Sequence, residues 1–377
     1  MLTERTLVSF SIFESLTDPR MERTKRHQLF DIVILTLCAT LGGANSYADV
    51  ERFGKAKLAW FLRHLELPNG IPSHDTIGRV FARLNPAELI NCLDRWLRSL
   101  GESLDGKTVS IDGKTLRGSL DAAAEKSGLH LVSAWASEAR LVLGQVAVAA
   151  KSNEITAIPL LLDLLELTDA VVTIDAMGCQ KAIAAKIRDK GADYVLALKG
   201  NQEKIHEATR DAFEAELISG GRRLKRFTTK ETNRGRVETR EYSVMPVPDD
   251  LVGKEEWRDL RSLVMVVRVR TIQGRETGEV HFYLTSLAAK PKIIARHIRG
   301  HWGIENTLHW TLDVTFTEDK SRIRKGHGPQ IAAIFRRWVL SILQQDTSCN
   351  ENIRGKRLLA GWNDAILESI LVGFKAK

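Results

Sequence analysis

Cysteine and long apolar runs are both scarce in this 377-residue sequence. The four cysteines are widely spaced and include no C-x-x-C pair, so neither a disulfide framework nor a zinc module is expected, and a reduced, cytosolic compartment is favoured. The longest apolar stretch, residues 32–44, is too short to cross a bilayer and predicts a buried helix. The first residues, MLTERTLVSF, lack the basic flank and apolar region of a signal peptide. A membrane partner is therefore not expected.

The composition is that of an ordinary globular protein with an excess of basic residues. Hydrophobic residues make up 44% of the chain and charged residues 27%, which suits one large core or two to three smaller ones. The net charge is +8 and the isoelectric point is about 9.3, which favours a polyanionic partner such as nucleic acid. Many proteins are this basic without binding nucleic acid, so charge alone leaves the partner open.

Residues 1 to about 104 have a helical pattern. Apolar spacing, an Asn-Pro break at 85–86 and Ser73 as an N-cap predict helices over 30–41, 47–65, 74–84 and 87–100. Short helices in series, with Arg79 and Arg83 on the third, are typical of a helix-turn-helix DNA-binding module. A plain helical bundle with those two arginines on a solvated face explains the pattern equally well.

After residue 105 the pattern changes to alternating strands and helices. Strands are predicted over 108–112, 130–136, 140–150, 170–176 and 193–199, with helices over 154–167 and 179–191. The order is three strands, helix, strand, helix, strand. It predicts three antiparallel strands followed by two parallel crossovers, which is the connectivity of a ribonuclease H-like α/β core.

A β-rich insertion is predicted at about 220–288. From Arg222 to Arg240 eight Lys or Arg residues stand against two acids, which suits either a contact with the DNA backbone or a solvated β-ribbon with gatekeeper charges. Trp257 is either a core residue or a surface on which an extruded base stacks. The predicted division of the chain is a helical N-terminal domain, 1–104, a catalytic core of 105–219 and 289–345, the insertion, 220–288, and a helical tail, 346–377.

Two aspartates stand where apolar strands are predicted to end, in the sequences Val-Ser-Ile-Asp112-Gly and Val-Thr-Ile-Asp175-Ala. A turn explains Asp105-Gly106, which precedes its strand, and is an alternative for Asp112-Gly113. It does not explain Asp175. In the predicted connectivity the first and fourth strands are neighbours, so the two carboxylates would lie close together and repel unless a cation neutralised them. Hard oxygen ligands suit Mg²⁺ or Mn²⁺, and a two-ion site suits phosphoryl displacement.

The motifs VSIDGKTLRGS, HLVSAWA, KSNEI, VTIDAMGCQ, GADYVLALKGNQ and HWGIENTLHWTLDVTFTEDKSRIR, with SHDTIGRVFARL nearer the N-terminus, extend this pattern. Over about residues 10–345 the sequence resembles DDE-class insertion-sequence transposases, in the branch that includes the H-repeat-associated (Rhs-linked) proteins. The resemblance implies a catalytic triad of Asp112, Asp175 and Glu305 that holds two Mg²⁺ or Mn²⁺ ions. Asp313, Glu318 and Asp319 are the competing acids.

On a continuous helix His301, Glu305 and His309 would share one face, and the large apolar residues around Glu305 suggest that it is not an ordinary surface acid. Related transposases place a Tyr, an Arg and a Lys at fixed offsets from the Glu. Those offsets give Ile298, His301 and Leu312 here, so this motif is absent. Each histidine has a buried structural role as its alternative. The candidate DNA-phosphate ligands are Lys114, Arg117, Lys199, Arg299, His301, His309 and Lys320, in addition to Arg79 and Arg83.

Three functions are compatible with these patterns. The first is a transposase that binds terminal inverted repeats, hydrolyses a phosphodiester bond and joins the freed 3′-OH to target DNA. It would act as a homodimer assembled on DNA, at the nucleoid in the cytoplasm. The second is a stand-alone nuclease of ribonuclease H-like fold. The third is a catalytically silent DNA-binding protein descended from a transposase.

Overall fold

A single sheet of nine strands forms the centre of the computed structural model, which describes residues 10–120, 127–149, 152–233 and 235–372. The strands are, in chain order, β1 (Thr108–Leu116), β2 (Leu129–Ala136), β3 (Leu141–Ala147), β4 (Val171–Ile174), β5 (Asp193–Leu198), β6 (Lys225–Asn233), β7 (Arg236–Pro246), β8 (Ser262–Ile272) and β9 (Arg275–Thr285). Their order across the sheet is β3-β2-β1-β4-β5-β9-β8-β7-β6.

Helices cover this sheet and precede it in the chain. They are α1 (Leu29–Leu41), α2 (Tyr47–Ala56), α3 (Leu58–Phe61), α4 (His74–Phe81), α5 (Pro86–Ser99), α6 (Glu154–Leu164), α7 (Lys181–Asp189), α8 (Glu203–Ile218), α9 (Pro291–Gly303), α10 (Trp310–Val314), α11 (Gly328–Gln345), α12 (Ile353–Trp362) and α13 (Asp364–Val372). A π-helical segment, Ile304–His309, joins α9 to α10.

The first five strands have the predicted connectivity. β1 pairs antiparallel with β2, and β2 with β3, whereas the β1–β4 and β4–β5 pairs are parallel. The parallel crossovers run through α6 and α7, close to the predicted ranges. The prediction of three antiparallel strands and two crossovers is therefore confirmed, and the chain has a mixed α/β architecture.

β1 is longer than predicted. Asp112 and Gly113 lie inside the strand, opposite Ser133 and Val132 of β2, so the turn interpretation of Asp112-Gly113 was wrong. The strand continues because β2 pairs with its second half after β4 has ended. A Cβ atom on Gly113 would overlap the carboxylate of Glu154, so this glycine makes room for Glu154.

The N-terminal helices follow the predicted pattern with one interruption. Ser73 caps α4, and its Oγ accepts a hydrogen bond from the backbone N–H of Thr76, as predicted. The helix predicted over 47–65 is broken at Lys57 into α2 and α3. All of α1 except Phe30 is buried, which confirms the prediction of a buried helix. No helix in the described part of the chain is long and apolar enough to span a membrane.

The N-terminal and C-terminal helices share one hydrophobic core. The indole of Trp338 in α11 packs against Phe13 and Trp96, at 4.8 and 5.5 Å between ring centroids. The same core includes Ile304 and Leu308 of the π-helical segment. The helices at the two ends of the chain therefore bury each other's apolar surface in a core that also includes the segment that carries Glu305.

Alternate residues of β1 contact different layers. Ile111 packs in the core formed with α6 and α7, whereas Thr108 and Ser110 are buried beneath α9. His297 Nδ1 lies 2.9 Å from Thr108 Oγ1, and Ser110 Oγ donates a hydrogen bond to the carbonyl oxygen of Gly300 at 3.4 Å. A Cβ atom on Gly300 would stand 3.0 Å from Thr108 Oγ1. Small polar residues in the strand and a glycine in the helix therefore let α9 approach the sheet closely.

The insertion continues the central sheet. β9 pairs antiparallel with β5, and β6, the last strand, forms the far edge. Trp257 is 3% exposed in the core, so its ring is unavailable to a base and the stacking interpretation was wrong. Several arginines of the basic stretch are paired with acids: Arg226 with Glu241, and Arg240 with Glu231 and Glu238.

Candidate active site

The two predicted aspartates lie side by side where β1 and β4 part. The parallel pairing of these strands ends at Ile111 and Ile174, and Asp112 and Asp175 are the next residues on each. By the two-residue alternation of a strand, Asp112 lies on the same face as Ser110, and Asp175 on the same face as Thr173. That face is the one covered by α9. The expected juxtaposition of the two carboxylates follows from this register.

Glu305 reaches the same edge from a π-helical segment, not from the continuous α-helix expected. The π-turn, Ile304–His309, changes the angle between successive residues, so His301, Glu305 and His309 do not form one straight stripe. His301 Nδ1 lies 3.0 Å from Thr173 Oγ1 on β4, while His309 Nδ1 lies 3.4 Å from Asp112 Oδ2 on β1. The two histidines thus contact neighbouring strands, with Glu305 between them in the chain.

Glu305 is exposed, contrary to the expectation that large apolar residues crowd it. Ile304 and Leu308 are buried, but Trp302 is 37% exposed and Trp310 is 58% exposed. Glu305 is not crowded because only some of the apolar residues around it pack into the core, whereas the two tryptophans lie at the surface. Glu305 instead lines an open cavity together with Trp302.

Asp112 has the most perturbed carboxyl group of the site. Its pKa is raised to about 7, chiefly by burial and also by the nearby carboxylates of Glu154, Asp175 and Glu305, against the lowering effect of a backbone hydrogen bond from Gly113. Three other acids therefore interact with Asp112 in the folded protein. Closely spaced carboxylates of this kind repel each other and favour a bound cation or proton.

Glu154 is a member of this group that was not identified from the sequence. Its Oε1 lies 2.8 Å from His130 Nε2. The only signal was its place in the motif KSNEI at the start of α6. An acid in the first turn of a helix is common because it complements the helix dipole, so this position looked ordinary.

Pairing with cations separates the predicted triad from the competing acids. Asp313 is bonded to Lys114, Glu318 to Arg337, and Asp319 lies 3.7 Å from Arg117. Among the described residues, no Lys or Arg forms an ion pair with any of the three predicted catalytic acids, Asp112, Asp175 and Glu305. The three predicted acids, together with Glu154, thus differ from the competing acids in having no Lys or Arg partner in the described part of the chain.

Glu318, one of the competing acids, belongs to a buried network of ion pairs. Arg337 Nη1 donates to Glu318 Oε1 at 2.7 Å, and both side chains are fully buried. Burial alone would raise the pKa of Glu318, but Arg337 and Arg336 outweigh it and hold the pKa below its usual range. Lys114 lies between Asp313 and Glu318, with its side chain only 9% exposed. This ammonium is therefore engaged with two carboxylates of the protein, and a contact of Lys114 with DNA stays a prediction.

His301 and His309 are buried neutral side chains. Burial lowers the pKa of both, to about 3 for His309, where Arg337 and Lys114 add to the effect. Neither carries a positive charge near neutral pH. His301 contacts β4 and also lines the cavity beside Asp175, and His309 contacts Asp112 on β1, so their role as phosphate ligands stays a prediction.

A cavity of about 290 Å³ opens beside Asp175 and Glu305. Lys199, which follows β5, lines it and has no ion-pair partner among the described residues, in line with its predicted place at this edge. Arg299 also lines it, but forms two hydrogen bonds with Glu231. Arg240 and Arg268 are further cationic lining residues, which were not singled out from the sequence.

The other predicted DNA ligands lie away from this cavity. Arg117 is exposed and lies near Asp319. Arg79 and Lys320, far apart in the sequence, line a second, larger groove. Arg83 is exposed on the surface, outside both of these depressions.

No three His, Cys, Asp or Glu side chains in the described part of the chain are close enough to enclose a metal ion by themselves. Mg²⁺ is commonly held by one or two carboxylates together with water and substrate phosphates. The neighbouring carboxylates of Asp112 and Asp175 suit an ion completed in this way.

Comparison with protein families gives two adjacent matches. The family described as "Transposase DDE domain" matches residues 103–342, and the one described as "DDE_Tnp_1-associated" matches residues 10–97. This chain belongs to the DDE transposase family. The larger match covers both aspartates, Glu305 and the whole nine-stranded sheet.

Relatives place this DDE transposase in the branch that includes the H-repeat-associated proteins. It is 39% identical over 360 residues to "Putative transposase YncI" of Escherichia coli O157:H7, covering 94% of this chain and 92% of that protein. It is 37% identical over 363 residues to "H repeat-associated putative transposase YhhI" of Escherichia coli strain K12, covering 95% and 96%. A shorter match, 44% over 57 residues, is to "Inactive transposase YbfQ" of strain K12, covering 15% of this chain and 68% of that protein.

In this transposase the positions that replace the Tyr and Lys of related proteins are in the core. Ile298 is 5% exposed and Leu312 is fully buried. They cannot contact a scissile phosphate. Among the cations that line the cavity, Lys199 has no ion-pair partner in the described part of the chain, whereas Arg240 is paired with Glu231 and Glu238, and Arg268 with Glu279.

Proposed function

We propose that this chain is a DNA transposase that hydrolyses and rejoins phosphodiester bonds at the ends of an insertion sequence. Asp112, Asp175 and Glu305 are its catalytic residues, on a ribonuclease H-like core preceded by a helical DNA-binding domain. One observation carries the proposal: Asp112, half-buried and close to Asp175 and Glu305, has no Lys or Arg partner among the described residues, and basic residues line the adjoining cavity. Buried carboxylates without a counter-ion are costly unless a ligand supplies one.

The three acids would hold Mg²⁺ or Mn²⁺, which suits their hard oxygen donors. Two such ions would activate the attacking oxygen and stabilise the leaving oxygen of the phosphodiester. The neutral His309 lies against Asp112 and restricts its movement, and His301 holds the start of the Glu305 segment against β4. These two contacts orient the carboxylates before substrate arrives.

The protein's cations would hold the DNA. Lys199 is the best placed, because it lines the cavity with Asp175 and Glu305 and has no acidic partner among the described residues. The cognate DNA would be a duplex with terminal inverted repeats, joined to target DNA by a homodimer assembled on the two ends. Such a substrate would place the protein at the nucleoid.

A strand-transfer assay with pre-cut inverted repeats and a supercoiled plasmid tests the proposal. We expect joined product in Mg²⁺ or Mn²⁺, and a loss of about a hundredfold or more for Asp175→Asn and Glu305→Gln, because each removes a charge worth several kcal/mol to the transition state. Glu207→Gln, an exposed acid on α8, is the matched control and should retain activity.

The possible products distinguish the alternatives. Cleavage that depends on the triad without any joined product would indicate a stand-alone nuclease. Binding of inverted repeats with no cleavage in either metal would indicate a catalytically silent DNA-binding protein. Equal activity of Asp175→Asn and the parent protein would refute the assignment of the site.

A further inference from the structure

A groove of about 560 Å³ lies between the N-terminal helices and the segment that follows α10. One wall comes from the start of α2 and from α4, and includes Tyr47 and Arg79. The other wall is Thr317 together with residues 320–325. We name it the seam groove, because its walls come from the two regions that match separate families, residues 10–97 and 103–342.

Positive charge dominates the seam groove. Its lining includes five Lys or Arg residues against one carboxylate, Asp75: the five are Arg79, Lys320, Arg322, Arg324 and Lys325. All five are exposed. Within the described residues, Arg79, Lys320, Arg322 and Lys325 have no acidic partner, unlike most cations around the active site. Unpaired cations gathered from both walls would attract an anion.

Groups in the groove that carry no formal charge also favour binding of an anion. The amino-terminal ends of α2 and α4 contribute lining residues, and a helix N-terminus carries partial positive charge. The hydroxyl of Tyr47, another lining residue, is buried and has no hydrogen-bond partner within the described part of the chain. A buried hydroxyl without a partner is unusual, and an acceptor oxygen supplied by a ligand would satisfy it.

The groove is attached to the strand that carries Asp112. The carbonyl oxygen of Gly118, just beyond β1, accepts a hydrogen bond from Arg324 Nε at 3.1 Å. A Cβ on Gly118 would clash with the backbone oxygen of Ser321, which shows how closely the two segments pack. A ligand held in the groove would therefore be fixed relative to the end of the catalytic strand.

We propose that the seam groove binds the phosphate backbone of duplex DNA and positions it for the carboxylate site. The inference rests on the proposed function, since it takes DNA as the substrate. It adds a backbone-binding surface that the two family regions build jointly, and it assigns Arg79, Arg322 and Lys325 to one ligand. Contacts of this kind fix the register of DNA without reading its sequence.

Binding of a labelled duplex of arbitrary sequence, measured in EDTA over a range of salt concentrations, tests the inference. We expect Arg322→Gln/Lys325→Gln to weaken binding roughly tenfold at about 0.1 M salt and to lower the slope of log K against log salt by about 2. Arg79→Gln, from the opposite wall, should lower the slope by about 1. Arg322→Lys/Lys325→Arg, which keeps both charges, should bind like the parent protein.

Arg354→Gln is the matched control, because Arg354 is an exposed arginine on α12 outside the groove. Melting temperatures of all variants verify folding. If the double variant Arg322→Gln/Lys325→Gln binds with the affinity and salt slope of the parent protein, the groove does not bind DNA. In that case the proposed function still stands if the parent protein shows strand transfer that depends on the triad. No binding by the parent protein at low salt would contradict both. Polyglutamate and unlabelled DNA should also be compared as competitors at equal charge concentration. If polyglutamate displaced the labelled duplex as strongly as DNA does, the occupant would be an acidic protein and not DNA.

Discussion

At the scale of single residues, the site is defined by which charges are left without a partner. Asp313, Glu318 and Asp319 each have a Lys or Arg beside them. Asp112 has instead a neutral histidine and three other carboxylates, and its pKa is raised to about 7. The folded protein thus carries an unfavourable interaction at its centre, which a bound cation would relieve. Sites of this kind exchange stability for function.

Asp112→Asn should therefore stabilise the metal-free protein. The pKa of an aspartate in the unfolded chain is near 3.9, whereas that of Asp112 in the folded protein is about 7. Between about pH 4 and pH 7 the folded state therefore binds a proton that the unfolded state has lost. The free energy of unfolding falls as the pH rises through that range. We expect the melting temperature of Asp112→Asn at pH 8 to exceed that of the parent by roughly 2–4 °C, and the gain to vanish near pH 4. Differential scanning fluorimetry in EDTA measures it.

Asp313→Asn serves as the control for this prediction. It removes a carboxylate that has Lys114 as its partner, so it should lower the melting temperature under the same conditions. Saturating Mg²⁺ should reduce or reverse the advantage of Asp112→Asn. A lower melting temperature for Asp112→Asn at pH 8 without metal would contradict the interpretation of Asp112 as a repelled charge.

At the scale of elements, one helix positions the third acid. α9 packs on β1 and β4 through Gly300, His297 and His301, and the π-helical segment continues from it. π-Turns are rare and are frequently found at functional sites. The position of Glu305 thus depends on how closely α9 approaches the sheet.

Gly300→Ala tests this dependence. Its Cβ would stand 3.0 Å from Thr108 Oγ1, so the helix would have to move by a few tenths of an ångström. We expect a loss of about 1–3 kcal/mol in stability and a loss of strand transfer of at least about tenfold. Urea unfolding and the transfer assay measure the two effects.

Gly278→Ala is the matched control, since a Cβ there meets nothing within 4 Å. It should leave both quantities unchanged. Full transfer activity in Gly300→Ala, at a protein concentration where it is folded, would show that the approach of α9 does not determine catalysis.

At the scale of the whole molecule, the chain ends are tied together. Phe13, Trp96 and Trp338 pack in one core, and Arg357 of α12 donates hydrogen bonds to the carbonyl oxygen of Thr40 in α1. The helices before the sheet and those after it therefore depend on each other. The insertion is tied in as well, because its strands extend the central sheet.

We expect the full chain to unfold in a single calorimetric transition. Trp338→Ala should shift that whole transition to lower temperature, because truncating a buried tryptophan costs about 3–5 kcal/mol. Trp362→Ala, at a residue that is 74% exposed, should leave it in place. Two separate transitions, of which Trp338→Ala moves only one, would show that the ends of the chain fold independently.

The sequence by itself determined the local features of this protein. The order of strands and helices, the cap at Ser73 and the buried α1 follow from residue spacing, which acts over a few positions. Asp112 and Asp175 were identified because a carboxylate after an apolar strand is unfavourable without a functional reason. Resemblance to a family, not spacing, supplied Glu305.

Only the tertiary structure decided which charges meet. Lys114 and Asp313 are 199 positions apart, and Glu154 lies beside Asp112 only because α6 packs over β1. The π-turn at Ile304–His309, the extension of β1 past Asp112 and the seam groove likewise arise from packing between distant segments. Such contacts depend on the whole chain being folded, because no local pattern records which surface an exposed or charged residue will face. The scarcity of cysteine and of long apolar runs argued against a disulfide-rich or membrane-spanning protein. Packing between distant segments determined which side chains form the site.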